Sequence, residues 1–345
     1  MAATLTVTGS APKIPRLPKR RFNVTQEELN ALIEPDMKAV DAVIRERLHS
    51  DVVLVRQVAE YIISGGGKRM RPALVLLAAG ALNYKGVLHH ELAAVVEFIH
   101  TATLLHDDVV DESSLRRGRD TANAIFGNAA SVLVGDFLYS RAFQIMVGID
   151  DMRVMRVLSD ATNVIAEGEV LQLMNCHDAD VDEERYLQVI RYKTAKLFEA
   201  AAQLGAIVGG GETAVEKALA DYGMHLGTAF QLIDDVLDYS GHEGETGKHL
   251  GDDLAEGKPT LPLIHVMQNG TAEQADCVRR AIETGGRDEF SLVLKAIHAT
   301  GALGHARRQA TREAERARAA IGGLRDSKYQ EALLQLTFFA VERNH

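Results

Sequence analysis

The chain has 345 residues, of which 46% are hydrophobic, so it can bury a large core, and its length permits one to three domains. Its net charge of −10 argues against nucleic acid as a partner, and no basic stripe is interleaved with aromatic residues. The two cysteines, Cys176 and Cys277, lack zinc-site spacing, which favours reduced thiols in a cytoplasmic protein. No apolar run reaches the length of a membrane span without interruption.

The chain begins with a basic segment in which no acidic residue precedes Glu27. Three prolines between residues 12 and 18 disfavour the amphipathic helix of a mitochondrial transit peptide, and there is no hydrophobic stretch typical of a secretion signal. We therefore expect residues 1–22 to form a disordered basic arm that makes a weak peripheral contact with an anionic membrane surface. Residues 23–345 are predicted to form a single all-helical domain.

Helical periodicity begins at Thr25, a candidate N-cap followed by two glutamates in the first turn, and predicts a helix through Arg47. A second predicted helix runs from Val52 to Ile63 and is broken by the glycines at 65–67. A third opens at residues 68–72, and further helices are predicted over 90–112, 121–147, 151–174, 183–208, 213–239, 259–268 and 290–343.

Strand signals are scarce, tryptophan is absent, and aromatic residues make up only 5% of the chain. This composition favours helices that pack through alanine, leucine, valine and methionine, so the fold class is predicted to be all-α. One segment, Ser240–Lys258, is rich in glycine and charge and nearly devoid of apolar residues. It is predicted to be a long mobile loop that acts as a lid.

An Asp-Asp-x-x-Asp motif occurs twice, at residues 107–111 and 234–238, each time directly after an apolar run. On a helix, residues i and i+4 share one face, so each motif presents clustered carboxylates. One such motif alone is usually a solvated acidic face, but two copies that emerge from buried helices need a cation. Clustered oxygen ligands suit Mg²⁺, and the predicted metal ligands are Asp107, Asp108, Asp111, Asp234, Asp235 and Asp238.

The glycines at 65–67 adjoin Lys68 and Arg71, and this combination at a helix start can cradle an anion. It is not a nucleotide-binding P-loop, because Arg69 stands where that motif requires serine or threonine and no strand precedes it. A flexible turn with solvated cations is the alternative interpretation.

Basic and polar side chains also lie near the acidic motifs in sequence. Arg116 and Arg117 follow the first motif and can hold two anions, or can simply neutralise its aspartates. His100 precedes Asp107 by two helical turns, although a lone histidine on an apolar face is more often a core residue. The spacing alone leaves the other candidate donors unspecific, and these are Lys193, Thr194, Gln231, Lys248 and Lys258.

Five ordered motifs resemble the trans-isoprenyl diphosphate synthases, most closely the long-chain, octaprenyl-type bacterial members. They read GGGKRMRP, FIHTATLLHDDVVDESSLRRG, YKTAKLF, FQLIDDVLDY and GKHLGDDLAEGKPTLP. The resemblance covers the chain from about residue 25 to the C-terminal FFAVER. It implies an isoprenoid-synthase-type helical bundle with a central cavity, usually a homodimer.

The resemblance also implies an activity and site residues. The enzyme would condense isopentenyl diphosphate onto an allylic diphosphate such as farnesyl diphosphate, in the cytoplasm, to supply a quinone side chain. Two or three Mg²⁺ ions would bridge the allylic diphosphate, and the residues carrying the chemistry would be Asp107, Asp111, Asp234 and Lys193. The allylic group would be held by Arg116, Lys193, Thr194, Gln231, Lys248 and Lys258. Isopentenyl diphosphate would be held by Lys68, Arg71, His100 and Arg117.

Product length depends on the residues beneath the first motif. Thr103 and Ala102, four and five residues before Asp107, lie one helical turn deeper, where a growing hydrocarbon tail would pass. Short-chain relatives tend to carry bulky residues there, so the small side chains predict a long product, and the resemblance indicates octaprenyl (C40). Gln172 replaces an aspartate common in short-chain relatives, which argues against a metal ligand at that position.

Three alternatives remain open at this stage. A short-chain (C15–C20) synthase would share the chemistry and differ in the tunnel. A class I terpene cyclase shares the first aspartate motif but usually has an Asn/Ser/Glu-type second one. A non-catalytic subunit of a heteromeric synthase would be expected to have lost acidic or basic ligands, and none is missing here.

Overall fold

The computed structural model describes residues 25–116, 118–240 and 250–343. Sixteen helices account for most of them. In chain order these are α1 (Gln26–Arg47), α2 (Val53–Ser64), α3 (Met70–Ala81), α4 (Leu88–Val110), α5 (Ala122–Phe126), α6 (Asn128–Ile149), α7 (Met152–Asn175), α8 (Glu183–Ile190), α9 (Lys196–Val208), α10 (Thr213–Ser240), α11 (Asp252–Ala255), α12 (Leu261–Asn269), α13 (Ala272–Thr284), α14 (Phe290–Thr300), α15 (Ala302–Ala320) and α16 (Lys328–Glu342). The prediction of an all-α fold is confirmed.

Four short elements accompany the sixteen helices in the described chain. A π-helical turn, Arg191–Ala195, joins α8 to α9 without a break, and a 3-10 turn, Arg287–Glu289, precedes α14. Two two-residue strands, β1 (Leu115–Arg116) and β2 (Arg119–Asp120), pair antiparallel just after α4. This small ribbon redirects the chain at the end of the first acidic motif.

The centre of the bundle consists of α3, α4, α9 and α10. Helix α3 is buried along its length from Pro72 to Ala79, because it packs against α4, α9 and α16 on different sides. Helix α4 also packs against α6, and α10 packs against both α9 and α15. A helix that is apolar all round is typical of such a core position. The two acidic motifs therefore lie at the ends of helices that the core holds rigidly.

The predicted start of α1 is confirmed in detail. The Thr25 hydroxyl accepts a hydrogen bond from the Glu28 backbone N–H at 3.1 Å, and the Glu28 carboxylate accepts one from the Thr25 N–H at 2.8 Å. This reciprocal arrangement is a capping box, which satisfies two backbone donors at the helix start.

The prediction of one helix over residues 121–147 is wrong, because Gly127 separates α5 from α6. Its backbone has φ +85° and ψ 156°, a conformation that side-chain-bearing residues rarely adopt. The predicted helix over 183–208 is confirmed as a continuous helical segment, with the π turn at its centre. Gly168 of α7 permits close packing there, since a Cβ atom on it would lie 2.6 Å from the Lys193 backbone nitrogen.

The segment Ser240–Lys258 is predicted to be a loop, but part of its described portion is helical. Helix α10 extends to Ser240, and α11 forms within the segment because Leu254 is fully buried in a cluster with α13 and α14. A side chain at Gly251 would collide with the Phe290 ring at 2.4 Å, which shows how closely this turn packs. Residues 241–249, where the predicted lid is centred, lie outside the described residues.

Two further predictions concern the ends of the chain and membranes. The proposed arm, 1–22, lies outside the described residues, and the division into an arm and a single domain at 23–345 stays a prediction. By length and composition α6 could cross a membrane, although 39% of its most apolar window is buried. One such helix is weak evidence, because core helices of proteins without a membrane span pass the same test.

Candidate active site

A cavity of about 720 Å³ opens where the C-terminal ends of α4 and α10 face each other. The start of α3, the middle of α7, the π turn and the segment after α11 complete its walls. Both acidic motifs contribute to the lining, through Asp107 and Asp111 on one side and Asp234 and Asp235 on the other. The predicted meeting of the two motifs across a central cavity is what the structure shows.

Three of these carboxylates form ion pairs with cations from distant parts of the chain. The contacts are Asp107 Oδ1 to Lys193 Nζ at 3.6 Å, Asp111 Oδ2 to Lys258 Nζ at 3.1 Å, and Asp234 Oδ1 to Arg343 Nη2 at 2.7 Å. The Asp107 and Asp111 side chains are only 16% and 17% exposed, whereas Asp234 is 46% exposed. Carboxylates as little exposed as Asp107 and Asp111 require positive charge nearby, and a divalent cation can supply it.

The remaining aspartates of the motifs have other contacts. Asp108 is buried behind the cavity wall, where Arg116 Nε donates to its Oδ1 at 2.7 Å. Burial raises the pKa of Asp108, although Arg116 opposes the shift. The Asp238 carbonyl accepts a hydrogen bond from the Gly251 N–H at 3.1 Å, and Asp238 is not among the residues that line the cavity.

Asp235 belongs to a hydrogen-bonded chain that crosses three elements. The Thr194 hydroxyl donates to the side-chain oxygen Oε1 of Gln231 at 3.0 Å, and the side-chain Nε2 of Gln231 donates to Asp235 Oδ1 at 2.8 Å. The Tyr186 hydroxyl donates to the other Asp235 oxygen at 2.5 Å. Burial raises the pKa of Asp235 to about 7. With both oxygens engaged, Asp235 fixes Gln231 and Thr194 relative to Asp234.

Lys193 projects from the π turn between two carboxylates. Its Nζ lies 2.6 Å from Glu169 Oε2 as well as 3.6 Å from Asp107. Burial alone would lower the pKa of Lys193, but Asp107 and Glu169 outweigh it and raise the pKa. Burial raises the pKa of Glu169 to about 7, despite the opposing effect of Lys193. The π turn, with its wider backbone, carries this ammonium group on the side of the cavity that Asp107 and Glu169 line.

Lys258 approaches from the segment after α11. Besides Asp111 it forms an ion pair with Glu256. Burial alone would lower the pKa of Lys258, but the charges of Asp253, Asp111 and Glu256 outweigh burial and raise the pKa. The other predicted lysine of this segment, Lys248, lies outside the described residues.

The predicted isopentenyl diphosphate residues form a second group at the start of α3 and on α4, two turns before Asp107. Lys68, Arg71 and His100 all line the cavity, and Arg71 Nη1 lies 3.0 Å from His100 Nε2. The Arg71 guanidinium also stacks 4.5 Å from the centre of the Phe198 ring, which fixes its plane. Gly66 and Gly67 have φ values of +69° and +155°, so the turn before Lys68 depends on glycine. Arg117 lies outside the described residues.

The two residues predicted to control chain length have different surroundings. Thr103 lines the cavity, and its hydroxyl donates to the His100 carbonyl at 2.8 Å. Ala102 is 0% exposed in the main core and does not line the cavity. Space directly beneath Asp107 is therefore bounded by Thr103.

Sequence reasoning misses two residues of this site. Arg343 donates to the Phe230 carbonyl at 2.6 Å and lies over the Phe230 ring at 3.8 Å, in addition to its contact with Asp234. Glu169 is the partner of Lys193 described above. Arg343 is the last residue of FFAVER, and Glu169 lies three residues before Gln172. Only the packing of α16 and α7 brings these two side chains to the cavity.

Comparison with known proteins identifies the family of this chain. The model of the family described as Polyprenyl synthetase matches residues 52–299. The chain is 57% identical to the octaprenyl diphosphate synthase of Escherichia coli strain K12, over 92% of this chain and 99% of that protein. It is 52% identical to the octaprenyl diphosphate synthase of Haemophilus influenzae, over 95% of this chain and all of that protein.

Solved structures show the same fold. The polyprenyl synthase of Caulobacter crescentus, solved with calcium and isoprenyl diphosphate, has a TM-score of 0.90 and 44% identity, covering 93% of this chain and 98% of that one. The decaprenyl diphosphate synthase of Rhodobacter capsulatus has a TM-score of 0.88 and 44% identity, covering 93% of this chain and all of the other. Enzymes of this family are prenyl-transferring and use a divalent metal. The chain belongs to the polyprenyl synthetase family, with the helical fold of the isoprenoid synthases.

Proposed function

We propose that this protein joins isopentenyl diphosphate units, one after another, to an allylic diphosphate and makes an all-trans octaprenyl (C40) diphosphate for a quinone side chain. The main support for the proposal is a single cavity that is lined by both acidic motifs and by a group of basic residues. The similarity of the chain to two octaprenyl diphosphate synthases supports the product length. Farnesyl diphosphate is the proposed primer.

The donor set of the cavity fits Mg²⁺. Asp107, Asp111 and Asp234 present hard carboxylate oxygens from two facing helices, and nearby cations now balance their charge. Two or three Mg²⁺ ions bound there would supply the positive charge that stabilises a departing diphosphate. Asp108, Asp235 and Asp238 are proposed to support the ligands, since their described contacts are to protein groups.

The basic residues are proposed to divide between two diphosphates. Lys193, Lys258 and Arg116, aided by Thr194 and Gln231, lie on the acidic side and would hold the allylic diphosphate. Lys68, Arg71 and His100 line the same cavity, where Arg71 contacts His100, and would hold isopentenyl diphosphate. For the residues outside the described chain, Lys248 is proposed to join the first group and Arg117 the second.

The chemistry then requires little from the protein beyond position and charge. Cations around the leaving diphosphate favour cleavage of the allylic C–O bond, because negative charge builds up on that group. Isopentenyl diphosphate, fixed by Lys68, Arg71 and His100, supplies the double bond that forms the new C–C bond, and a proton then leaves. The released diphosphate can accept that proton, so no protein nucleophile is needed.

This proposal predicts strict dependence on a divalent cation. Incubation with farnesyl diphosphate, isopentenyl diphosphate and Mg²⁺ should give a chain-extended product, and an excess of EDTA should reduce its formation to background. Readdition of Mg²⁺ should restore it. Product formation that persists unchanged in EDTA would refute the metal assignment while leaving the fold unaffected.

Thr103 is predicted to bound the path of the growing chain. The change Thr103→Tyr should shorten the product, because a ring at this position would fill space one turn beneath Asp107. Thr103→Ser retains the hydroxyl that bonds to the His100 carbonyl and serves as the control, with no change expected. Chromatographic product sizing makes the measurement, and an unchanged length in Thr103→Tyr would place the tail elsewhere.

Substitution of Ala102 tests the control of chain length less cleanly than substitution of Thr103. Its side chain is fully buried, so a tyrosine there would overpack the core and cost about 1–3 kcal/mol of stability. Its assignment as a chain-length residue rests on its position one turn beneath the first motif.

A homodimer is also proposed, from the outward face of α6. This face exposes three large apolar side chains, Leu133 at 67%, Val147 at 66% and Phe143 at 39%, next to the charged Asp136. Leu173 and Met174 at the end of α7 are also exposed. Apolar stripes of this kind mark contact surfaces. Light scattering should therefore give twice the mass of the 37.6 kDa chain.

We propose a cytoplasmic location, with a weak peripheral membrane contact of the basic arm for product release.

A further inference from the structure

Two histidines and one aspartate converge at a point away from the cavity. Asp36 lies in the middle of α1, and His89 and His90 lie in the first turn of α4. The Nε2 atoms of His89 and His90 are 3.6 Å and 2.9 Å from the same oxygen, Asp36 Oδ1. None of the three lines the catalytic cavity, and about 15 Å of helix separates His90 from His100.

The spacing of these atoms suits metal coordination. All three ligand atoms lie within 4.8 Å of one another, and within the described parts of the chain this is the one group of its kind. In tetrahedral zinc sites the metal–ligand bonds are about 2.0–2.1 Å, which places neighbouring ligand atoms roughly 3.3 Å apart. The two observed N–O distances, 2.9 Å and 3.6 Å, fall on either side of that value. An ion could therefore enter with small side-chain movements.

The two imidazoles are also held in place before any ion binds. Adjacent residues on a helix normally point in different directions, yet both rings here reach one carboxylate oxygen. Their centres are 4.0 Å apart, and the Tyr84 ring packs edge-on against His89 at 5.2 Å. The His89 and His90 side chains are 10% and 15% exposed, and Asp36 is 32% exposed, which leaves one side open to solvent.

We propose that Asp36, His89 and His90 form a binding site for a divalent transition-metal ion of the zinc type, distinct from the Mg²⁺ site of the aspartate motifs. Two imidazole nitrogens and one carboxylate oxygen are ligands that zinc prefers, whereas Mg²⁺ prefers oxygen alone. Solvent would complete the coordination. Because the ligands come from α1 and α4, the bound ion would fasten α1 to the central bundle and stabilise the folded chain.

The test measures Zn²⁺ binding to the whole protein by equilibrium dialysis, with Mg²⁺ in large excess to saturate oxygen-rich sites. We expect about one tightly held equivalent per chain, which His90→Gln and His89→Gln should each weaken at least tenfold. His265→Gln is the matched control, because His265 also stacks on a second histidine, His305, at 4.4 Å but belongs to no such three-ligand group. Equal Zn²⁺ binding by the parent chain and His90→Gln would overturn the proposal.

Three further measurements separate this site from the catalytic aspartates and from loss of fold. The same equivalent should persist in the double variant Asp107→Ala, Asp234→Ala, and its loss there would assign the ion to the catalytic site. Zn²⁺ should raise the melting temperature of the parent chain but not that of Asp36→Asn, a variant that retains a hydrogen-bonding side chain. Prenyl transfer by His90→Gln should equal that of the parent, so failure of the proposed catalytic function would leave this test valid. An absence of tight Zn²⁺ binding in the parent would reduce the cluster to a hydrogen-bonded contact.

Discussion

Replacing Asp107 or Asp234 with alanine is expected to lower the turnover number at least about a thousandfold. Each removes a carboxylate that faces the other motif across the cavity and that is proposed to hold Mg²⁺ against the leaving diphosphate. The loss should appear in the step that cleaves the allylic C–O bond, because less positive charge is then held against the departing diphosphate. Steady-state kinetics at saturating Mg²⁺ and substrates provides the measurement.

A control for these two variants lies on the outer side of α10. Asp221 pairs with Lys217 at 2.7 Å, is 46% exposed and lies far from the cavity along the helix that carries Asp234. Asp221→Ala should retain the parental turnover. Circular dichroism should show helical content equal to that of the parent in all three variants. Near-parental turnover in both Asp107→Ala and Asp234→Ala would contradict the metal assignment.

Lys193→Met is expected to lower the turnover at least about a hundredfold. The ammonium group lies between Asp107 and Glu169, so its removal leaves two partly buried carboxylates close together without a cation. It also removes a charge that is proposed to hold the allylic diphosphate. Both effects act on the same step, and kinetics with varied allylic substrate would show a loss in kcat as well as a rise in KM.

Lys196→Met is the matched control for Lys193→Met. Lys196 lies three residues further along the same segment, has a similar exposure of 21% and pairs locally with Glu199 at 2.8 Å. It should retain turnover. The double variant Lys193→Met, Glu169→Gln should show the same loss of turnover as Lys193→Met, because the ammonium group is still missing. Recovery of turnover in the double variant would mean that Lys193 acts only on Glu169.

The helices could be predicted well where their sequence signals are local. Thr25 and Glu28 form the capping box that their spacing indicates, and the ends of α7 and α10 fall close to the predicted residues. The break at Gly127 could not be predicted, because one backbone torsion decides it and a helix tolerates glycine elsewhere. Helix α11 depends on the burial of Leu254 by α13 and α14, which no local pattern reveals. The sequence patterns also fail to predict α13 itself.

The same distinction applies to the site. The spacing of the two acidic motifs predicts that each lies at a helix end, and the structure brings them to one cavity. Their separate duties could not be predicted, because Asp107 and Asp108 are chemically identical and only the direction of α4 aims one at the cavity and the other at Arg116. Arg343 requires α16 to pack against α10 before it can reach Asp234. Contacts between distant segments are the part that sequence patterns do not contain.

Long-chain prenyl transfer can be tested by sizing the products formed from farnesyl diphosphate and labelled isopentenyl diphosphate in the presence of Mg²⁺. We expect a ladder of products that ends at C40, because the small side chain of Thr103 lines the cavity beneath Asp107. A product that stops at C20 or shorter would retain the chemistry but contradict the assignment of a long-chain synthase. The absence of any product from the correctly folded protein would contradict the proposed activity and favour a non-catalytic subunit.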